Sequence, residues 1–257
     1  MRVFFAILLS CILSLNLFFY SEEMLGYSAG FINQTSTINA AHLDGLKKLG
    51  YYRYDFQDEN LNYRNAVLHF QSHHNLTVDG IAGKQFQAAL NKKLTQGKAA
   101  AFNDYVKKPA STGLWITVNK SKRILTVYWN KTAINKYPIA LGRINYVTPE
   151  GKFKIKVKVV NPRWSGGGHA QPVNGGDKKN PLGYRWLGLS IGTQNKYGIH
   201  GNNNAYSIGQ NVSRGCIRML NSDVEELYQS VKKGTPVWIG SENALQKWGV
   251  YQNSFTY

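Results

Sequence analysis

Hydrophobic periodicity changes once along this chain, near residue 113, and that change limits what it can fold into. Before it, apolar side chains recur at helical spacing: His42, Leu43, Leu46 and Leu49, then Tyr63, Val67, Leu68 and Phe70, then Phe86, Ala89 and Leu90. One face of a helix repeats every three to four residues, so a small all-α module of three helices is expected over residues 38–94. The segment Leu76-Thr-Val-Asp-Gly-Ile-Ala-Gly83 lies between the last two and reads as a turn, with glycines where positive φ is cheap. After residue 113 the period is two. Leu114–Val118, Ile124–Trp129 and Phe153–Val159 are runs of β-formers, and the Asn119–Arg123 turn closes a hairpin between the first two. In the third run Lys154, Lys156 and Lys158 take one face and Phe153, Ile155, Val157 and Val159 the other, as in a half-buried strand. Only Ser222–Val231 reads as a helix in this part, with Ser222 as N-cap. The expected architecture is therefore the helical module, a linker over 95–112, a mainly β domain over 113–240 and a tail over 241–257.

The first residues bear on compartment. Arg2 precedes an apolar run from Val3 to Tyr20, and Glu22 and Glu23 follow it. That charge order orients a segment with its C-terminal side out, so residues 1–30 are expected to be a signal peptide or an uncleaved signal anchor, a choice left open. The protein is then exported, to the cell wall or the outer face of the cytoplasmic membrane. Cys11 lies within the run, which leaves Cys216 as the one cysteine beyond it. A single exported thiol forms no internal disulfide, so it is core filler or a reactive group.

The formal net charge is +17, and acidic residues thin out after Asp104. Such a field attracts polyanions. Export argues against nucleic acid and for anionic wall polymers as partners. A hydrophobic content of 43% and an aromatic content of 13% exclude a disordered polymer.

The segment from Tyr197 to Met219 carries the chemistry. It holds His200 and Cys216, separated by a glycine- and asparagine-rich excursion. A thiol at its ordinary pKa is mostly protonated at neutral pH, so a cysteine nucleophile needs a base or cationic partner. His200 supplies one. The amides of Gly215 and Cys216 are candidates to face an oxyanion. No adjacent carboxylate orients His200, which leaves the Gly201 carbonyl or the Ser213 hydroxyl for that task. His169, inside a glycine-rich stretch from Ser165 to Gly183, is a rival histidine. That stretch reads as a long loop without packing, fit to serve as a lid. His69, His73 and His74 read as an incidental surface cluster, so no metal or cofactor is expected.

His200-Gly201 followed by Ser213-Arg-Gly-Cys-Ile-Arg218 resembles the signature of the L,D-transpeptidase catalytic domain, the YkuD type. The resemblance extends to Thr148-Pro-Glu-Gly-Lys-Phe153 and Pro181-Leu-Gly-Tyr-Arg-Trp-Leu187, and covers about Leu114 to Ile239. The helical stretch, Phe70-Gln71 with Val78-Asp79-Gly80, resembles the three-helix peptidoglycan-binding module. Together they imply a β-sandwich-like catalytic fold and acyl transfer from a tetrapeptide stem, with release of D-alanine and formation of 3-3 cross-links. Peptidoglycan stem peptides are then the partners. Carried onto this chain, Cys216 is the nucleophile and His200 the base. Gly201, Ser213, Arg214 and Gly215 shape the site. Arg218 is a candidate to bind a substrate carboxylate, or else pairs with Asp223. The rival functions are a cysteine L,D-carboxypeptidase that trims stems and a wall-binding protein without catalysis. On either catalytic reading residues 38–94 only localise the enzyme, so a chain starting near Pro109 is expected to keep its activity.

Overall fold

The computed structural model describes residues 38–96, 102–168, 170–192 and 196–254; the segment expected to direct export, Cys11 and His169 lie outside them. Three helices come first: α1 (Ala40–Lys48), α2 (Glu59–His73) and α3 (Lys84–Gln96). Asn39 caps α1 by accepting from the His42 amide, and Asp58 caps α2 by accepting from Asn60 and Leu61. Each cap satisfies backbone donors that a first helical turn leaves open. Leu46, Tyr63, Val67, Phe70, Phe86 and Leu90 pack into one core between the helices. The turn after α2 is held by Gln71. Its Oε1 accepts from the amides of Asp79 and Gly80, and its Nε2 donates to Asp79 Oδ1 at 2.7 Å. That is the physical content of the glutamine and aspartate-glycine pattern.

The rest is built on β structure. The main sheet contains β2 (Leu114–Asn119), β3 (Ile124–Trp129), β4 (Thr132–Pro138), β6 (Gly151–Val160), β7 (Arg185–Leu189), β8 (Gly198–His200), β10 (Ile217–Arg218) and β11 (Pro236–Gly240). Their order is β10-β8-β7-β6-β11-β2-β3-β4. Two small sheets pair β1 (Asp104–Val106) with β12 (Val250–Gln252), and β5 (Leu141–Gly142) with β9 (Asn211–Ser213). Helix α4 (Asn221–Ser230) lays Val224 and Leu227 on a core with Ile116, Val118, Leu125, Ile155, Leu187, Ile199, Ile217 and Ile239. A short helix, α5 (Glu242–Lys247), follows β11.

Several expectations change. The stretch read as a linker supplies β1, and the stretch read as a tail supplies α5 and β12. Asp104 fixes the linker stretch in place. Its carboxylate accepts from Tyr128 Oη at 2.6 Å, from Asn75 Nδ2 at 2.8 Å and from the fully buried Lys136 Nζ at 2.6 Å. Burial draws Lys136 down to about 8 against the pull of Asp104. Helix α4 begins at Asn221 after Leu220, without a side-chain cap, so Ser222 lies inside it. Strand β6 alternates only as far as a register shift between Ile155 and Val157. Past that bulge the parity slips: Val159 and Val160 are exposed, and Lys158 folds back to donate to the carbonyls of Tyr228 and Val231.

The Ser165–Gly183 stretch is also more ordered than its composition suggests. Trp164 and Val173 exchange backbone hydrogen bonds, and fully buried Asn180 donates to the carbonyls of Pro162 and Asn174.

The module is fused to the β domain. Leu68 and Val78 share one buried cluster with Ile124, Ala140, Ile208 and Leu220. Arg123 Nε donates to the Val78 carbonyl at 2.7 Å, and the Val78 amide donates to the Lys122 carbonyl. His69 and His74 are buried, contrary to a surface cluster, because α2 is covered on both faces.

Candidate active site

Strand register assembles the site. β10 runs parallel to β8 with Ile217 beside Ile199 and Arg218 beside His200. β7 runs antiparallel on the other side of β8, with Trp186 opposite His200. Side chains alternate across a sheet, so Ile199 and Ile217 enter the core while His200, Arg218 and Trp186 share the other face. Cys216, one residue before β10, returns to that same face. These residues line a cleft of about 880 Å³ together with Arg143, Arg163, Lys196, Ser213 and Arg214.

Glycines make room for this arrangement. A Cβ on Gly198 would lie 2.6 Å from the Trp186 ring, and one on Gly188 would lie 2.9 Å from it. Without them the indole could not lie flat against the sheet, where it stacks on the His200 imidazole at 5.5 Å between centroids. Gly215 has φ +106°, and a Cβ there would strike the Tyr197 ring at 2.7 Å.

Of the two groups considered for orienting His200, the Gly201 carbonyl is in place, 2.6 Å from Nδ1. A proton on Nδ1 donates to that carbonyl, which leaves Nε2 as the basic nitrogen. The carbonyl is itself fixed by Asn221, which accepts from the Asn202 amide at 3.1 Å and donates to the Asn202 carbonyl at 2.9 Å. Asn202 in turn donates to the Met219 carbonyl. The Ser213 hydroxyl does something else: it donates to the Cys216 carbonyl at 2.5 Å and accepts from the Gly215 amide at 3.1 Å. The Gly215 amide is thus directed at Ser213, and the tight turn holding Cys216 is closed by that serine. Arg214 is exposed at the cleft rim, with its guanidinium 5.8 Å from the Tyr146 ring centre.

The electrostatics favour neutral partners at rest. Burial pushes His200 down to about 4, and the Arg218 guanidinium adds to the effect. Burial also pushes the Cys216 thiol up, opposed by a backbone hydrogen bond from Gly198 and by Arg218. At rest a neutral thiol, which donates to the Lys196 carbonyl at 3.4 Å, and a neutral imidazole line the same cleft. Arg218 forms no ion pair with Asp223; that carboxylate lies on His69 and Arg53 instead. The Arg218 Nε is buried without a hydrogen-bond partner, beside a thiol and an imidazole. Five cationic side chains and no carboxylate line the cleft among the described residues.

Sequence reasoning assigned no role to Trp186, Asn202 or Asn221. Trp186 lay within the Pro181–Leu187 motif, and its pairing with His200 needed the β7–β8 register.

The L,D-transpeptidase catalytic domain family matches residues 113–239, and a peptidoglycan-binding domain family matches residues 44–90. Two relatives from Bacillus subtilis carry L,D-transpeptidase names. YqjB is 40% identical over 131 residues, covering 50% of this chain and 72% of its own length. YkuD is 38% identical over 155 residues, covering 60% and 82%. Among solved structures, an L,D-transpeptidase from Xylanimonas cellulosilytica superposes with a TM-score of 0.53 at 20% identity, covering 78% of this chain and 91% of that one. At that identity the likeness is one of fold.

Proposed function

The chain belongs to the L,D-transpeptidase family and acts on peptidoglycan, and from that premise we propose that Cys216 is its nucleophile and His200 the base that activates it. The observation that carries this reading is the β8–β10 register, which puts His200, Arg218 and Cys216 on one face of a cationic cleft.

The reaction begins with thiol and neutral imidazole. As Cys216 Sγ attacks the carbonyl of the third stem residue, its proton passes to His200 Nε2. The oxyanion faces the Cys216 amide, since the Gly215 amide is directed at Ser213. Collapse breaks the peptide bond to the terminal D-alanine, whose amine leaves with the proton from His200. A thioester remains. The side-chain amine of a second stem then attacks it, gives its proton to His200 and leaves a 3-3 cross-link, with Cys216 reprotonated.

Acidic stems suit the cleft. Arg218 sits beside the nucleophile with an unpartnered Nε, the setting in which a guanidinium binds a carboxylate. Arg143, Arg163, Lys196 and Arg214 extend the field along the rim. The domain pairing supports a cell-wall location. Export by residues 1–30, as signal peptide or anchor, and attraction to anionic wall polymers belong to the same proposal. No helix among the described residues is long and apolar enough to cross a membrane.

Purified disaccharide-tetrapeptide, incubated with the full chain and resolved by mass, tests the reading. Free D-alanine together with a 3-3 linked dimer is the expected result, and Cys216→Ala abolishes both. D-alanine with only tripeptide at high acceptor concentration identifies an L,D-carboxypeptidase instead. No turnover by the folded wild type identifies a wall-binding protein.

A further inference from the structure

We propose that the helical module is a working part of the active site, with Arg64 of α2 as a positioning residue that holds the loop between His200 and Cys216. The inference rests on the assignment of that pair as nucleophile and base.

Residues 201–215 leave β8 at His200 and return at Cys216, and they contain three asparagines in a row and two glycines beyond Gly201. Such a segment has little intrinsic stiffness. Its far side rests on the module. Arg64 Nη2 donates to the Ile208 carbonyl at 2.8 Å and to the Asp79 carbonyl at 3.3 Å. One guanidinium thus ties the module's own turn to the catalytic loop. Leu68, one helical turn further on, packs with Ile208 in the shared buried cluster. Gly209 is shaped to this contact: its φ is +86°, and a Cβ there would lie 2.9 Å from Leu68 Cδ2. Two residues before Ile208, Tyr206 Oη donates to Asp58, the N-cap of α2, at 2.6 Å.

From Ile208 the constraint passes along backbone. The Gly209 amide donates to the Ile139 carbonyl and the Leu141 amide to the Gln210 carbonyl, which starts the β5–β9 pairing. The Arg143 amide then reaches the Ser213 carbonyl, and Ser213 Oγ closes the turn at Cys216. Each link from Arg64 to the nucleophile is a hydrogen bond or a step along the 208–216 backbone.

The chemistry of Arg64 supports a dedicated task. It is 8% exposed, no carboxylate forms a salt bridge with it among the described residues, and its Nη1 has no hydrogen-bond partner. Burial lowers it to about 10, opposed by Asp79. A buried guanidinium so poorly compensated is costly. A helix that only needed to adhere to its neighbour would do better with leucine at that position. Arginine supplies what leucine cannot, a donor for two carbonyls at once. Gly80 is fitted to it, since a Cβ there would lie 2.9 Å from Arg64 Nε.

The test uses full-length wild type, Arg64→Ala, Arg64→Lys, Tyr206→Phe and, as a control in the module core away from the seam, Leu90→Ala. Acylation of Cys216 by a carbapenem is followed by mass at a temperature where circular dichroism shows each protein folded. Donor kcat and KM are measured alongside. Arg64→Ala should acylate about 10- to 100-fold more slowly, with kcat reduced and KM unchanged, because the cleft keeps its side chains while the attacking atom is misplaced. Arg64→Lys should recover part of the rate, and Leu90→Ala should lower the melting temperature without slowing acylation. If Arg64→Ala does not fold, Tyr206→Phe removes the second side-chain hydrogen bond between module and loop and should slow acylation at an unchanged melting temperature. Wild-type rates in a folded Arg64→Ala, or in Tyr206→Phe where Arg64→Ala does not fold, overturn the proposal. Equal slowing by Leu90→Ala also overturns it, since the effect would then be general loosening. A wild type that is not acylated at all overturns the assignment of Cys216 itself.

Discussion

Trp186 covers His200: the two rings stack with centroids 5.5 Å apart and planes 23° apart, and the indole occupies space that glycines at positions 188 and 198 leave open. The stacked indole covers one face of the imidazole, so one aromatic side chain is expected to govern both the basicity and the aim of the proposed base. Trp186→Ala is expected to re-solvate His200 and raise its pKa towards the ordinary 6.5. The acid limb of the rate profile should move up with it, and kcat should fall. Loss of a half-buried indole costs about 2–3 kcal/mol, visible as a lower melting temperature. An unmoved acid limb in a folded Trp186→Ala would show that the ring does not set the environment of His200.

The acid limb in the wild type follows from the same burial. His200 is held down to about 4, so it stays a free base from neutral pH to well below its usual titration range. Acylation by a carbapenem should therefore be nearly flat across about pH 5.5–7 and fall only as pH approaches 4. A limb near pH 6.5 or above would mean a solvated histidine or a preformed ion pair.

Folding stability should carry a related signature. His69 and His200 are lowered to about 4, and His73 and His74 to about 3, with burial the first cause in each. Between those values and 6.5 the unfolded chain binds more protons than the folded one, so stability rises with pH through that window and is lost as pH falls through it. Each histidine contributes a slope of about 1.4 kcal/mol per pH unit there. Urea midpoints between pH 7 and 4.5 measure the sum, and a flat midpoint would contradict buried neutral histidines.

On the proposed function Arg218 serves both substrate and catalyst. Its guanidinium lowers His200 and opposes the upward push on Cys216. Arg218→Ala should therefore raise the pKa of both groups while also weakening a donor carboxylate by about 1.5–3 kcal/mol, which is roughly 10- to 150-fold in KM. Arg218→Lys keeps the charge but not the fork, so it should restore the acid limb better than it restores KM. Equal recovery of both by lysine would reduce Arg218 to a point charge.

Much of this was legible before any fold was known, and the reason differs by residue. Cys216 and His200 stood out because a lone cysteine outside the apolar N-terminal run and a histidine-glycine pair are chemically unusual wherever they fall. The module's helices were readable from periodicity, since each buries one face on its neighbours. The seam was not. Leu68 follows Val67 in a helix, yet Val67 enters the module core and Leu68 the shared cluster. A helix buried on two sides loses the one-sided pattern that periodicity detects. Trp186, Asn221 and Arg64 act across strands or domains, and local pattern carries no record of a partner 14 to 144 residues away.

That seam decides what a shortened chain will do. A protein beginning near Pro109 was expected to remain active, on the view that residues 38–94 and their linker only tether the enzyme. It would lose Asp104 and Asn75, the side-chain partners of Lys136, take the Asp104 acceptor from Tyr128, and strip α2 and β1 from the strand that carries Lys136. Loss of Leu68 and Val78 would also bare Ile124, Ala140, Ile208 and Leu220. For a domain of this size each kcal/mol lost lowers the melting temperature by roughly 2–4 °C. The shortened chain should therefore express poorly or unfold early, and any folded fraction should acylate slowly because its 201–215 loop is no longer held. Restoring residues 102–108 alone should return part of the stability, by returning Asp104, and little of the acylation rate. A chain from Pro109 that melts with the full protein and acylates at its rate would return the module to the role of a tether.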